Sequence, residues 1–156
     1  MAIAQAMCTS FKTELLTGTH NFATNGNAFK LALYAEGGGG KSSTTATLGA
    51  ATTAFTTTGE VANSGTYVSG GLALTKVAPT SSGTTAFTDF TDVSFTSASF
   101  TANGCLIYNT QANGGSGTTN AVCVVAFGGD KTVSSGTFTI QFPTNDASSA
   151  ILRLTA

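Results

Sequence analysis

Apolar and polar residues alternate most clearly at the centre of the chain. Within residues 92–100, Val93 and Phe95 are separated by polar residues, and this period of two predicts a strand with one buried face. An Asn103-Gly104 pair, a typical turn signal, follows. Residues 105–108 are then apolar throughout, as in a strand buried on both faces. We therefore predict two adjacent antiparallel strands here, the second deeper than the first.

Strands are also predicted on either side of this centre. The short run 121–127, AVCVVAF, is apolar throughout, so we expect it to be the most buried strand. The Gly128-Gly129-Asp130 sequence after it predicts a turn. Before the centre, Gly70-Gly71 indicates a bulge or a close backbone approach within a strand. The remaining strands are predicted at residues 29–35, 67–77, 137–142 and 150–154.

One helix is predicted, over residues 2–16. Four apolar residues spaced by four would share one of its faces: Ile3, Met7, Phe11 and Leu15. Thr17-Gly18 ends it. A lone N-terminal helix on a β domain either covers an open end of the sheets or reaches to a partner protein, and the sequence leaves both alternatives open.

Three segments rich in glycine and hydroxyl side chains are predicted to be loops: 36–65, 78–86 and 110–119. The first has little to bury besides Leu48, Phe55 and Val61. Loops this long in compact domains are usually functional or mobile. We expect these three segments to carry contacts with other chains, since loops hold a disproportionate share of binding residues.

Together these elements predict an all-β fold. Short strands separated by Gly, Asn and Ser turns, with almost no helix after residue 16, favour a two-layer antiparallel β-sandwich of jelly-roll type with one short N-terminal helix. A length of 156 residues suits one domain, so we assign residues 1–156 to a single β-sandwich domain.

Composition gives this domain an unusual surface. Only 8% of its residues are charged, against roughly 25% in average proteins, while about 45 are Ser or Thr. A neutral surface lacks the like-charge repulsion that keeps free monomers apart. The composition therefore suits a protein that functions packed against partners.

Nucleic acid and membrane are not predicted partners. The net charge is −1, and the six Lys and Arg residues are scattered along the chain, whereas binding to phosphates needs a clustered basic surface. The longest apolar run is much shorter than the roughly 20 residues of a membrane span. The first ten residues also lack the basic and apolar regions of a secretory signal.

One segment resembles a phosphate-binding loop. Residues 35–42, AEGGGGKS, follow a predicted strand, and Lys41 with the backbone amides could in principle cradle a phosphate. Such a loop must also open a helix. The threonine-rich sequence that follows is a poor helix former, so a glycine linker is the favoured interpretation.

Other reactive residues form no recognisable catalytic or metal motif. His20 is the only histidine and is predicted to face solvent in a loop. Four aspartates, Asp89, Asp92, Asp130 and Asp146, lie in or beside predicted turns, where Asp commonly bonds the backbone. The spacing of the three cysteines fits neither a disulfide framework nor zinc. Cys105 and Cys123 are interpreted as buried thiols, with a bridge between them as the alternative. We predict no enzyme activity, cofactor or metal.

Three segments together resemble a known family. Residues 52–75, 90–110 and 124–154 carry, in order, a Glu-Val before Gly-Thr-Tyr and paired Gly, an Ile-Tyr-Asn strand, and an aromatic-Gly-Gly-Asp-Lys turn. With the first 22 residues, this pattern resembles a family of small virion structural proteins of tailed bacteriophages. Phe95 and Asn103 depart from it, since Trp and Arg often stand there in that family.

The resemblance implies a non-enzymatic virion protein assembled in the host cytoplasm. Within that class we favour a capsid decoration (cement) protein that binds the major capsid protein as a homotrimer. A tail, neck or fibre component is the alternative, and a carbohydrate-binding module is an alternative of another class. Six residues are predicted to contact partners: Ile3, Met7, Phe11, Leu15, Phe55 and Tyr67.

Overall fold

The computed structural model describes residues 2–37 and 43–155. In this part of the chain, eight strands accompany one α-helix and a single 3-10 turn at Ala112–Gly114. Their order is β1 (Ala6–Met7), α1 (Thr9–Leu16), β2 (Phe29–Tyr34), β3 (Leu72–Leu74), β4 (Lys76–Ser82), β5 (Thr85–Phe90), β6 (Val93–Asn109), β7 (Asn120–Ile140) and β8 (Leu152–Leu154).

The strands form two antiparallel sheets. Five strands lie in one sheet in the order β1-β7-β6-β2-β3, and three lie in the other in the order β4-β5-β8. Strands hold 49% of the chain and helix only 7%, so the prediction of an all-β sandwich is confirmed.

A single hydrophobic core joins the two sheets and α1. Phe22 stacks on Phe29 of β2 with ring centroids 4.4 Å apart, and Phe29 lies 5.8 Å from Phe90 of β5. Phe11 of α1 meets Phe22 edge-on at 6.0 Å. Aromatic contacts of this kind add about 0.5–1.5 kcal/mol beyond the burial of their surface.

The centre of the chain is one strand, not two. Strand β6 continues through Asn103-Gly104, because β2 pairs with one of its edges and β7 with the other. The predicted turn there is wrong. The Asn103 side chain instead accepts a hydrogen bond from the Glu36 amide at 2.9 Å and donates one to Asp130 at 2.7 Å.

The predicted turn at residues 128–130 is also wrong. It lies inside β7, where Gly104 pairs with Ala126 and Ala102 with Lys131, so residues 127–130 bulge opposite one residue of β6. Gly128 and Gly129 adopt φ values of 73° and 140°, which glycine tolerates far better than other residues. The glycines therefore bend the strand without ending its pairing.

The N-terminal segment corrects the helix prediction. Only residues 9–16 are helical, and residues 2–7 run extended between β7 and the segment around Leu48. Ala4 donates to the Leu48 carbonyl at 2.9 Å, and Leu48 donates to the Ala2 carbonyl at 3.0 Å. Ala6 and Met7 pair with Val124 and Cys123. These backbone bonds take up donors that a helix would have used internally.

The predicted strand 67–77 divides between the two sheets. Residues 72–74 form β3 and residues 76–82 form β4, which turns at Gly83 into β5, so most of the predicted loop 78–86 is strand. The close approach predicted at Gly70-Gly71 is confirmed, because a Cβ on Gly71 would lie 1.9 Å from the Leu31 carbonyl oxygen.

The described part of the long loop, residues 43–65, is held to the sheet by tyrosine hydroxyls. Tyr34 donates to the Thr56 carbonyl at 2.6 Å. Tyr67 accepts from the Leu33 amide at 2.9 Å and donates to the buried Glu60 carboxylate at 2.8 Å.

In the described residues, no helix is long and apolar enough to cross a membrane.

Candidate functional site

The six predicted contact residues do not share one surface. Ile3, Phe11 and Tyr67 are fully buried in the core, because the extended N-terminus, α1 and the Glu60 network each direct one of them inward. They are not available to a partner in this fold. The predicted contact role therefore fails for these three on burial.

The other three remain partly exposed. Phe55 stacks on Tyr108 with centroids 4.8 Å apart, away from the helix. Met7 and Leu15 instead line an open groove between α1 and the three-stranded sheet. The buried Phe11 lies in the wall of the same groove, so the structure brings together three of the six.

We call this feature the α1 groove. Its volume is about 120 Å³, and its walls are almost wholly apolar. The helix side supplies Met7, Phe11 and Leu15, and the sheet side supplies Pro79, Phe87 and Leu154. Sequence reasoning missed most of the sheet side, because residues 78–86 were predicted to be a loop.

Three large apolar side chains are exposed among the described residues, and one of them lies in the wall of this groove. Leu154 in its wall is 56% exposed, and Leu16, the residue after Leu15, is 90% exposed. Val68, at 58%, is the third large hydrophobic residue exposed among those described, and it lies on the loop before β3. An apolar groove with an exposed leucine in its wall can bury further apolar surface on binding.

His20 is buried, contrary to the prediction of a solvent-facing loop residue. Its Nε2 lies 2.6 Å from the Glu14 carboxylate and its Nδ1 lies 2.8 Å from Asn109 Nδ2. Asn109 Oδ1 accepts from the Gln111 amide at 2.8 Å, which orients its amino group toward the ring. Both ring nitrogens are thus occupied inside the fold, and the imidazole joins α1 to the main sheet instead of facing a substrate.

The aspartates accept hydrogen bonds that hold the chain together. Asp146 accepts from the amides of Ser148 and Ser149 at 2.8 and 2.7 Å, and these bonds lower its pKa. Asp92 accepts from the Phe142 amide at 2.8 Å. Burial raises the pKa of Asp89, which accepts from the amides of Phe90 and Ile151. Each of these three carboxylates therefore fixes the position of backbone amide groups.

The three cysteines are buried free thiols, which confirms the favoured interpretation of Cys105 and Cys123, and no bridge joins these two. Burial raises the pKa of Cys8 to about 11 and that of Cys105 to about 12. Thiols held in the protonated form are poor nucleophiles and poor metal ligands. No group of three or more metal-ligating side chains occurs among the described residues.

The candidate phosphate loop falls mostly outside the described residues, because Lys41 and Ser42 lie in the gap at 38–42. The segment that follows the gap, residues 43–55, has no helix. The structure therefore lacks the helix N-terminus that such a loop needs to hold an anion.

A second depression, which we call the amide cup, was missed by sequence reasoning. It lies where the loop after α1 meets the loop between β6 and β7, and its volume is about 420 Å³. Five carboxamide side chains line it: Asn21, Asn25, Asn27, Gln111 and Asn113. The sequence signal was two amide-rich loops, but their meeting depends on the pairing of β2 with β6.

Comparisons of the chain with protein-family models, with curated proteins and with solved structures found no match.

Proposed function

We propose that this protein is a non-enzymatic structural protein of a tailed-phage virion. Within that class we assign it to the capsid surface, as a decoration protein that binds the assembled lattice of the major capsid protein and stabilises it. Binding to the assembled lattice, and not to free subunits, opposes disassembly by mass action. Many copies of one modest interface would resist the pressure of packaged DNA.

The α1 groove is the observation that carries the proposal. It is apolar, open and bordered by the exposed Leu154, as an attachment surface for another protein would be. The sparsely charged composition supports the same conclusion, because a protein held on a lattice does not need charge repulsion to stay dispersed. We assign the major capsid protein as the partner at this groove.

The groove can be tested by replacing Leu154 with Ser. Because Leu154 is more than half exposed, the change leaves the fold intact but removes apolar contact worth about 1–2 kcal/mol. Re-binding of the purified variant to particles that lack the protein should weaken roughly 5- to 30-fold. Bound copies are measured by sedimentation and gel densitometry.

Val68→Ser is the matched control for this experiment. Val68 is equally exposed but lies outside the α1 groove, so its replacement should leave particle binding unchanged. Equal losses for both variants would mean that general surface hydrophobicity drives attachment. Undiminished binding of Leu154→Ser would remove the groove from the proposal.

The assembly state and the position on the particle are further parts of the proposal. We propose a homotrimer, by analogy with decoration proteins that sit on local threefold axes. Sedimentation equilibrium of the free protein measures this directly. A tail, neck or fibre position is the second candidate within the virion, and it differs in copy number.

A carbohydrate-binding module with an aromatic platform gains no support. Across residues 2–37 and 43–155, every aromatic side chain is buried or half-buried. Stacking against a sugar ring requires an aromatic face open to solvent. Any saccharide site in the described part of the chain must therefore work by hydrogen bonding.

A further inference from the structure

The amide cup presents hydrogen-bond donors whose orientation is fixed by the fold. Asn21 Oδ1 accepts from the Ala23 amide at 2.9 Å, and Gln111 Oε1 accepts from the Ala28 amide at 3.0 Å. Turning either carboxamide around would set an amino group against a backbone N–H, so the oxygens must face the fold. The amino groups of both residues are left to face outward.

Asn27 provides the strongest evidence for an available donor in the amide cup. It is 92% buried, and its Oδ1 accepts from the Asn21 amide at 2.8 Å and from Asn109 Nδ2 at 3.0 Å. Its Nδ2 has no hydrogen-bond partner within the described chain. This nitrogen is also not one of the fully enclosed atoms that lack a partner, so it keeps some accessible surface. Because Asn27 lines the cup, we take this amino group as a donor available at the cup wall.

The chemistry of the lining selects the class of ligand. Among the described residues, no acidic, basic or aromatic side chain lines the cup, so these residues offer neither a countercharge for an anion nor a stacking surface. It offers three oriented amino groups, and Asn25 and Asn113 at the rim add carboxamides that can both donate and accept. A ligand with several neighbouring hydroxyl and carbonyl oxygens would satisfy these groups.

The volume is compatible with such a ligand. At about 420 Å³, the cup is within the roughly 300–1,000 Å³ of small-ligand sites. Its outward donors are held in place by hydrogen bonds to backbone groups, which lowers the entropy lost on binding. We propose that the amide cup binds a neutral saccharide unit. This site goes beyond the virion role and uses a surface distinct from the α1 groove.

Side-chain amide NMR tests the proposal on the free protein. The NH₂ resonances of Asn21, Asn27 and Gln111 are followed during titration with the methyl glycosides of glucose, galactose and N-acetylglucosamine. At least one glycoside should give saturable shifts at these resonances, with a Kd on the order of millimolar for a single sugar ring. Sodium acetate and sodium phosphate serve as anion probes and should give no saturable shift there.

The substitution Gln111→Glu isolates the outward donor. A glutamate keeps the oxygen that accepts from Ala28 but replaces the amino group with a second oxygen, so binding should weaken at least tenfold. Asn21→Asp makes the same exchange at a second position if the first variant is poorly folded. Asn63→Asp is the matched control, since its Oδ1 caps the Ser69 amide outside the cup, and it should bind within twofold of the wild type.

Three results would overturn the proposal. The first is that none of the three glycosides gives a saturable shift at the cup, at concentrations up to 50-fold above a millimolar Kd. The second is tighter binding of acetate or phosphate than of the glycosides, which would make the cup an anion site. The third is equal weakening by Gln111→Glu and Asn63→Asp, which would trace the effect to added charge.

Discussion

Buried polar side chains hold together segments that are distant in sequence. Asn103 links the amide of Glu36 to the carboxylate of Asp130, and Glu60 accepts from Tyr67, Ser69 and the Gly70 amide at 2.6–2.8 Å. Removing one partner of such a bond leaves a desolvated polar group, which costs about 1–3 kcal/mol. These few residues therefore matter more to stability than their small number suggests.

Asp89 gives the fold a pH dependence whose sign can be predicted. Its folded-state pKa is raised by burial, so the folded protein holds this proton more tightly than the unfolded chain. The resulting stability is fully present below the unfolded pKa of about 3.9 and is lost as the pH rises through the folded-state pKa.

This dependence is measured as the difference in free energy of unfolding between wild type and Asp89→Asn, from pH 3.5 to 6.5. The free energy of unfolding of the wild type should fall relative to that of Asp89→Asn as the pH rises. The substitution also alters the hydrogen bond to the Ile151 amide, but this changes the stability difference by the same amount at every pH. A difference that is flat, or that favours the wild type at higher pH, would contradict the assignment.

Gly104 is required by close packing inside β6. A Cβ there would lie 2.6 Å from the Val125 carbonyl oxygen and 2.7 Å from Ile3 Cγ2. Gly104→Ala should therefore lower the free energy of unfolding by about 1–3 kcal/mol, the usual cost of overpacking. Urea denaturation provides the measurement.

Gly49→Ala is the control for this substitution. The nearest atom to its new Cβ would be 3.7 Å away, an ordinary contact, so stability should change by less than about 0.5 kcal/mol. Equal effects at the two positions would show that Gly104 is not constrained by its neighbours.

At the scale of elements, local patterns predicted the strands but not where they end. The apolar runs at 105–108 and 121–127 were placed correctly in strands. The prediction that 121–127 is the most buried strand is wrong, because residues 125–127 are half-buried while residues 100–109 of β6 are all buried. The turn signals at Asn103-Gly104 and Gly128-Gly129 were misinterpreted, because a turn and a bulge use the same residues. Pairing on both edges of β6 decides between them, and that information is not local.

The N-terminus shows the same limit. Ile3, Met7, Phe11 and Leu15 fit a helical period, but the first two lie in an extended segment whose backbone bonds go to Leu48 and β7. Of the two alternatives for this segment, covering the core is the one that the structure shows. The α1 groove was half predictable, through Met7, Phe11 and Leu15, while its sheet side and the amide cup depended on long-range pairing.

Ile3→Ala tests the N-terminal segment as an element of the core. Ile3 is 1% exposed, so truncating it should cost about 2–5 kcal/mol of stability. Gln5→Ala, at an exposed position of the same segment, should have almost no effect. If thermal melts show both variants as stable as the wild type, the segment is a detachable arm, and a contact role for it would be restored.

At the scale of the whole molecule, the protein combines an all-β core with an almost uncharged exterior. The α1 groove lies between α1 and the three-stranded sheet, and the amide cup lies at the loops after α1 and β6. Two separate surfaces would allow one chain to attach to a lattice and still present a second site outward. Under the proposed attachment, many copies on one lattice would also multiply weak binding at the proposed second site.

The most direct test of the virion assignment is quantitative mass spectrometry of purified particles of the phage that we propose encodes this chain. The measured quantity is the number of copies relative to the major capsid protein. A capsid decoration protein predicts hundreds of copies per particle. A few to tens of copies would move the protein to the neck, tail or fibres, and its absence from the particle would contradict the structural role altogether.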